Sequence, residues 1–282
     1  MHKDCLWTKS CARLHCVKHD KNSSLNWIFL PGGPGLGSES LSKLTGILQS
    51  KSLRMPGSLW HLDLPGDGSN TSFTTQESFQ NWPLALVESV QQFKHVILVA
   101  HSTGGMYILS TPKIEPFLEG LILLDSAPDA RWQASFAELA QKHPLPNAEI
   151  LQKQFQSNPN NDTLKALTIA SSPYLFTEKG LEEGTKMLEC LPYNYEAYKW
   201  SHENFDRTYE AKWIPQKIPT LIIAGENDLV TPLHLFSQSK VFCRDNILLQ
   251  SIHNAGHFPW IDNPEEVAAA FQMYCQWGNF SD

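Results

Sequence analysis

The sequence predicts an α/β protein with a mostly parallel central sheet flanked by helices. Short apolar runs recur along the chain, and each is nearly continuous, as is typical of strands buried on both faces. Helix-like stretches alternate with these runs, which indicates helices on both faces of the sheet. This alternation is interrupted once, by a long helix-like interval. The chain has 282 residues, enough for one large domain or for a core with an insertion.

Four segments have the composition of buried strands and end in loops of small or polar residues, namely residues 27–30, 96–100, 121–124 and 221–224. Residues 59–64 and 247–252 are predicted as two more strands. Residues 5–19 instead alternate between polar and apolar, which predicts a leading hairpin at the edge of the sheet.

Helices are predicted between these strands, for example over residues 82–93 and 264–274. The second has a clear start, with Asn263 as N-cap, Pro264 at the first helical position, and Glu265 and Glu266 in the first turn. We therefore expect the chain to end on a helix that packs against the sheet.

The interruption lies between the strands at 121–124 and 221–224. It is helix-like, broken by prolines and rich in aromatic residues: Trp132, Phe136, Tyr174, Phe176, Tyr193, Tyr195, Tyr198 and Trp200. We interpret it as a helical cap inserted into the core. The predicted organisation is core over residues 1–126, cap over 127–214, and core again over 215–282.

Composition excludes several classes of protein. A hydrophobic fraction of 41 % with 18 % charged residues is too apolar for a disordered chain. The net charge of −7, without a basic cluster, argues against nucleic-acid binding. No apolar run approaches the ~20 residues of a membrane span, and residues 1–16 lack a signal-type hydrophobic stretch. We expect a cytoplasmic protein.

The cysteines predict neither a disulfide scaffold nor a metal site. Six of them are spread over the whole chain, whereas disulfide scaffolds are short and dense in cysteine. Cys11, His15, Cys16 and His19 lie close together, but their spacing matches none of the usual zinc patterns. Ordinary strand residues are the better interpretation, and we expect neither a metal nor a cofactor.

The central motif is the run Ala-His-Ser-Thr-Gly-Gly at 100–105, directly after one predicted strand and before an apolar helix start. It resembles the nucleophile elbow of the α/β-hydrolase fold, in which a strained strand-to-helix turn presents a serine. Small neighbours let the two backbones approach each other, and Ala100 replaces the first glycine of the pattern. The resemblance implies that Ser102 is the nucleophile.

A serine is a poor nucleophile until a base takes its proton, and a carboxylate must orient that base. His257 lies in a glycine-histidine loop after the last predicted strand, which resembles the loop of the family's catalytic histidine. Asp228 matches the acid of the family's strand-glycine-x-x-aspartate segment. Glu226 in the same loop and Asp125 after the preceding strand are rival acids. The order serine, aspartate, histidine is that of the fold.

The run Leu-Pro-Gly-Gly-Pro-Gly at 30–35 follows the first buried strand. It resembles the oxyanion loop best known in proline iminopeptidases, with Pro31 in place of the usual histidine. The resemblance implies that the backbone N–H groups of Gly33 and Thr103 stabilise the tetrahedral intermediate. Residues 63–69 resemble a further loop of the family, to which we assign a structural role beside the entrance. Altogether the resemblance covers residues 28–266 except the cap.

A serine at the elbow implies acyl transfer at a carbonyl, with water as the usual acceptor and no cofactor. The run His-Ser-Thr-Gly-Gly resembles small esterases, so a carboxylesterase acting on a small or medium acyl substrate is favoured. A proline iminopeptidase-like aminopeptidase is the alternative, followed by a carbon–carbon bond hydrolase. An aminopeptidase would need cap carboxylates to bind the substrate amine, and the candidates are Glu182, Glu183, Glu189, Glu196 and Glu203.

A non-enzymatic role stays open, because a fold does not establish a function. A receptor or scaffold of this fold would bind its ligand under the cap. Such proteins often lose a triad residue, whereas this sequence has all three.

Overall fold

The structure is a computed structural model that describes residues 5–50, 53, 55–71 and 76–280. Its strands are β1 (Cys5–Trp7), β2 (Arg13–Lys18), β3 (Asn26–Leu30), β4 (Ser58–Asp63), β5 (Val96–His101), β6 (Leu118–Leu124), β7 (Thr220–Gly225) and β8 (Ile247–Ile252). They form one sheet in the order β1-β2-β4-β3-β5-β6-β7-β8. Strands β3 to β8 are parallel, while β1 and β2 form the predicted hairpin and β2 pairs antiparallel with β4. All six predicted strands are confirmed: β8 has the predicted bounds, and the other five differ by one to three residues at one or both ends.

The α-helices of the described residues are α1 (Ser42–Leu48), α2 (Gln76–Gln80), α3 (Trp82–Val90), α4 (Thr103–Leu109), α5 (Arg131–Lys142), α6 (Pro146–Ser157), α7 (Asn161–Ala170), α8 (Leu181–Cys190), α9 (Tyr195–Ser201), α10 (His234–Ser237), α11 (Pro259–Asp262) and α12 (Pro264–Trp277). Helix α3 ends before the predicted 93, and α12 continues past the predicted 274. As expected, the side chain of Asn263 caps α12 by accepting a hydrogen bond from the Glu266 N–H.

The core lies on both faces of the sheet, as its apolar strands require. On one face the sheet packs against α3 and α4, with Trp82, Leu86 and Ile108 fully or almost fully buried. On the other face it packs against α1 and α12, where Leu44 and Phe271 are wholly buried. Strands covered on both faces explain why the sequence shows continuous apolar runs rather than alternation.

Helices α5 to α9 connect β6 to β7, where the sequence predicts the inserted cap. The two ends of this insertion meet, because Asp129 and Glu210 form an antiparallel bridge. Within the described residues, no helix is both long and apolar enough to cross a membrane.

Register places the carboxyl ends of the central strands side by side. Leu30 of β3 pairs with Ala100 of β5, and Leu124 of β6 pairs with His101 of β5 and with Ile223 of β7. The loops that follow these strands therefore start at one edge of the sheet. Parallel α/β sheets bind their ligands outside this edge.

Candidate active site

Ser102 occupies the sharp turn between β5 and α4. Its backbone is left-handed (φ 50°, ψ −125°), a conformation that is costly for a residue with a side chain. The turn requires close approach of two backbones: a Cβ on Gly104 would lie 2.4 Å from the carbonyl oxygen of Pro31. Ala100, which departs from the glycine of the motif, is completely buried in the core. The strand-turn-helix context predicted from the sequence is thus confirmed.

The imidazole of His257 lies between Ser102 and Asp228. Its Nε2 is 3.0 Å from Ser102 Oγ, and its Nδ1 is 3.1 Å from each carboxylate oxygen of Asp228. All three side chains are buried. With the proton on Nδ1 donated to Asp228, Nε2 is free to accept the hydroxyl proton of Ser102. The structure brings together the three residues predicted from the sequence.

Asp228 is held ionised by its surroundings. Its Oδ1 accepts the backbone N–H groups of Val230 (2.8 Å) and Thr231 (3.2 Å), and its Oδ2 accepts the Thr231 hydroxyl at 2.9 Å. Burial by itself would raise the pKa of Asp228, but His257 and the backbone N–H groups of Val230 and Thr231 outweigh burial and lower it. Asp228 is therefore suited to stabilise an imidazolium.

The two rival acids lie elsewhere. Glu226 is exposed, and its carboxylate accepts the N–H of Asn254 at 3.3 Å. Asp125 is completely buried, and its Oδ1 accepts the N–H of Gly225 at 2.8 Å. Neither makes a hydrogen bond to His257 within the described part of the chain. The geometry favours Asp228 over both.

His101, whose role was not predicted from the sequence, supports the backbone of His257. Its Nε2–H donates to the carbonyl oxygen of His257 at 2.8 Å, and its ring packs against Phe258 and Trp260. Burial, together with the nearby His257, lowers the pKa of His101 to about 3. His101 is thus a neutral, fixed donor at neutral pH. Its adjacency to the nucleophile was the available signal, but a partner 156 residues away is not visible in a sequence.

Gly33 and Thr103, the predicted oxyanion donors, line one cavity with Ser102. Their backbone N–H groups donate to no protein acceptor among the described residues. Free N–H groups beside a serine hydroxyl match the arrangement expected of an oxyanion hole.

The loop that contains Gly33 is held from the segment at 63–69. The buried carboxylate of Asp67 accepts the N–H groups of Gly35 (2.9 Å) and Gly37 (3.2 Å), and Asp63 accepts the N–H of Ser38 at 2.7 Å. Residues 63–69 thus hold the backbone of this loop through hydrogen bonds, which is the structural role predicted for them.

The helical insertion also holds this loop, through Asn194. The N–H of Asn194 donates to the carbonyl oxygen of Gly35 (3.1 Å), and its side-chain amide donates to that of Gly66 (2.7 Å). Its side-chain oxygen caps α9. Asn194 was not predicted from the sequence, although an asparagine just before a helix is a recognisable N-cap signal.

The cavity beside Ser102 has a volume of about 180 Å³. Most of its lining is apolar, including Leu36, Leu164, Leu175, Leu188, Val230 and Phe258. Among the described residues, no aspartate or glutamate lines it. The five cap glutamates considered for amine binding are all exposed, and two of them pair with lysines, Glu182 with Lys186 and Glu183 with Lys43.

One group of side chains in the described residues could hold a metal ion: Asp125, Asp228 and His257, whose donor atoms lie within 4.8 Å of one another. A cation there would compete with the Nδ1–H bond from His257 to Asp228.

All six cysteines are free. In the leading hairpin, Cys16 packs against the core, whereas His15 on the other face of β2 lines a groove.

Comparison with known proteins agrees with this architecture. The model of the alpha/beta hydrolase family matches residues 27–270. A Mycoplasma genitalium protein named "Putative esterase/lipase 2" is 28 % identical over 239 residues, which is 82 % of each chain. A thermophilic esterase from Thermogutta terrifontis superposes with a TM-score of 0.68 at 16 % identity, over 99 % of each chain.

A second solved structure is a proline iminopeptidase-related protein of Thermus thermophilus. It superposes with a TM-score of 0.70 at 21 % identity, over 98 % of each chain. At such identities these two structures support the fold and not the substrate. The family match, in contrast, spans both halves of the core and the insertion between them. The chain therefore belongs to the alpha/beta hydrolase family.

Proposed function

We propose that this chain is a serine carboxylesterase that cleaves esters of small or medium acyl groups. The observation that carries the proposal is the hydrogen-bonded series Ser102–His257–Asp228 beside a small apolar cavity. Ser102 and His257 are 3.0 Å apart, and His257 and Asp228 are 3.1 Å apart. The esterase/lipase name of the Mycoplasma relative supports the same assignment.

The reaction follows from the geometry. Ser102 Oγ attacks the ester carbonyl while His257 Nε2 takes its proton, and Asp228 stabilises the imidazolium. The N–H groups of Gly33 and Thr103 donate to the oxyanion of the tetrahedral intermediate. His257 then gives the proton to the departing alkoxide, which leaves an acyl group on Ser102. Water, activated by the same imidazole, hydrolyses this acyl-enzyme and restores the serine.

The lining of the cavity favours an ester as substrate over a peptide with a free amine. Its volume of about 180 Å³ is below the ~300–1,000 Å³ of sites for drug-sized ligands, which favours short acyl groups. A free substrate amine would need a carboxylate partner, and the cavity lining given above contains none. The cap assigned to residues 127–214 contributes Trp132, Leu164 and Tyr198 to the lining.

Hydrolysis of p-nitrophenyl acetate, butyrate, octanoate and dodecanoate, beside proline-p-nitroanilide, tests the proposal. We expect turnover of the short esters by the wild type, no turnover by Ser102→Ala, and labelling of Ser102 by a fluorophosphonate. Ser110→Ala is the matched control, because Ser110 is a buried serine whose hydroxyl has no partner in the described structure. It should retain both activity and labelling.

Two other outcomes would contradict the proposal. Turnover of the anilide alone would identify an aminopeptidase. A protein that cleaves neither substrate class and is not labelled by the fluorophosphonate would instead be a binding protein of this fold.

A further inference from the structure

Asp125 is a buried carboxylic acid that the proposed mechanism does not use. It follows β6, and its side chain has no exposed surface. Its Oδ1 accepts the N–H of Gly225 at 2.8 Å, whereas its Oδ2 is buried without a partner among the described residues. An unpaired buried carboxylate oxygen is costly, so the surroundings of Oδ2 need an explanation.

The carboxyl group of Asp125 lies beside a second carboxylate, that of Asp228, and beside the ring of His257. Oxygen atoms of Asp125 and Asp228 and a ring nitrogen of His257 lie within 4.8 Å of one another. The other charge that acts on Asp125 is also negative, that of the buried Asp262. Two adjacent buried carboxylates do not both ionise readily, and Asp228 is the one that has His257 and three hydrogen-bond donors.

We propose that Asp125 is a positioning residue of the triad, which keeps its proton and donates Oδ2–H to the carboxylate of Asp228. This assignment gives the buried oxygen its missing partner and adds a donor to Asp228. Burial, and then the charge of Asp228, raise the pKa of Asp125 well above its ordinary value, which agrees with a retained proton. The proposal rests on the function proposed above, because it assigns Asp125 a role toward the acid of that triad.

The backbone at Asp125 also indicates that this residue is held in a defined position. Asp125 has a left-handed backbone with φ 44°, and its N–H donates to the carbonyl oxygen of Ile223 at 2.8 Å. Aspartate and asparagine tolerate this region better than most residues. Asparagine is therefore the conservative replacement: its amide oxygen can accept the Gly225 N–H, and its N–H₂ can donate to Asp228 as the protonated acid does.

The charge state can be measured without any substrate. The infrared spectrum of the full-length wild type minus that of Asp125→Asn at neutral pH should contain the carbonyl band of one protonated carboxylic acid. A difference spectrum that shows only carboxylate bands would overturn the proposal. This measurement stays decisive even if the protein hydrolyses no ester, so the two proposals can fail separately.

Kinetics with p-nitrophenyl butyrate then tests the role. Asp125→Asn should keep kcat within about threefold, because the donor to Asp228 is retained. Asp125→Gly tolerates the left-handed backbone but removes the donor, so kcat should fall roughly tenfold with little change in KM. With more negative charge left on Asp228, the imidazolium of His257 is favoured, and the acid limb of kcat/KM should move to higher pH.

Two kinetic results would overturn the proposal. Loss of activity in a folded Asp125→Asn protein would mean that the enzyme needs the charge of Asp125. An unmoved acid limb in a folded Asp125→Gly protein would mean that the side chain only fills space. If the glycine variant does not fold, the infrared spectrum and the asparagine variant still decide.

Discussion

Asp262 and Thr177 are joined by hydrogen bonds although 85 residues separate them in the chain. The buried carboxylate of Asp262 accepts the Thr177 hydroxyl at 2.7 Å and the Thr177 N–H at 3.2 Å. It also accepts the N–H of Gly256, the residue before His257, at 2.8 Å. The loop of the histidine is thereby fixed to the helical insertion through one carboxylate.

Thr177→Val tests this connection, because it removes the hydroxyl at nearly constant volume. A hydrogen bond to a charged group contributes about 1.5–3 kcal/mol, so the free energy of unfolding in urea should fall by that amount. Thr208→Val is the control, since Thr208 is an exposed threonine of the same insertion. Equal losses in the two variants would contradict a specific contribution from the bond to Asp262.

Asp228→Asn should lower kcat by a factor of about 10³–10⁴ for the preferred ester. An amide no longer selects the Nδ1–H tautomer of His257 and no longer stabilises its imidazolium. Glu226→Gln changes an exposed acid of the same loop and should leave kcat within about twofold. The measurement is ester hydrolysis under saturating substrate. A larger loss in the Glu226 variant would reassign the acid.

Gly35→Ala should lower both stability and activity. Gly35 has φ +90°, and an added Cβ would lie 2.5 Å from the carbonyl oxygen of Asn194, so the loop that contains Gly33 would have to move. Gly46→Ala is the matched control: it lies in α1, and a Cβ there meets nothing within 4 Å. Alanine is the better helix former, so this control should gain about 0.5–1 kcal/mol.

The two glycine variants are compared by thermal unfolding and by ester hydrolysis. If Gly35→Ala matched the wild type in both measurements, the tight approach between the loop and the insertion would have no functional consequence.

Leu188→Ala should shift the preference toward longer acyl groups. Leu188 is completely buried and lines the cavity beside Ser102, so its truncation enlarges that cavity. A buried leucine-to-alanine change also costs about 2–5 kcal/mol of stability. The ratio of octanoate to butyrate turnover is the measurement, and Leu84→Ala, at a half-exposed position of α3, is the control. An unchanged ratio would place the acyl group elsewhere.

Stability should fall below about pH 6.5 because of buried neutral histidines. Burial, and then the charge of His15, lower the pKa of His61 to about 4, against an ordinary value of about 6.5 in the unfolded chain. Between these values the unfolded chain binds the additional proton, so the folded state loses stability as the pH falls. His61 alone should contribute roughly 2 kcal/mol of loss between about pH 7 and pH 5.

His61→Gln should reduce this dependence, measured as the free energy of unfolding in urea at several pH values. His234→Gln, at an exposed histidine, is the control and should keep the wild-type slope. His101, with its pKa lowered to about 3, contributes a loss of the same sign in every variant. A wild-type slope in the His61 variant would contradict the assignment.

Much of the fold and of the candidate site could be predicted from the sequence, because the signals are local. Buried parallel strands appear as apolar runs, and β5 followed by the serine turn and α4 is a short continuous segment. The roles expected of Ser102, Asp228 and His257 came from the resemblance to family motifs, and these residues follow β5, β7 and β8. Their catalytic roles stay predictions, as does the division into core and cap.

Only the tertiary structure decided which side chains complete the site. Asp228 and Glu226 share one loop, and their distinction depends on which carboxylate faces His257 and is buried there. The partners of His101, Asn194 and Asp262 lie far away in the chain, so no local pattern predicts them. How deeply a residue is buried and which distant groups it bonds depend on every helix and strand around it. These contacts form only when the sheet edge and the insertion come together.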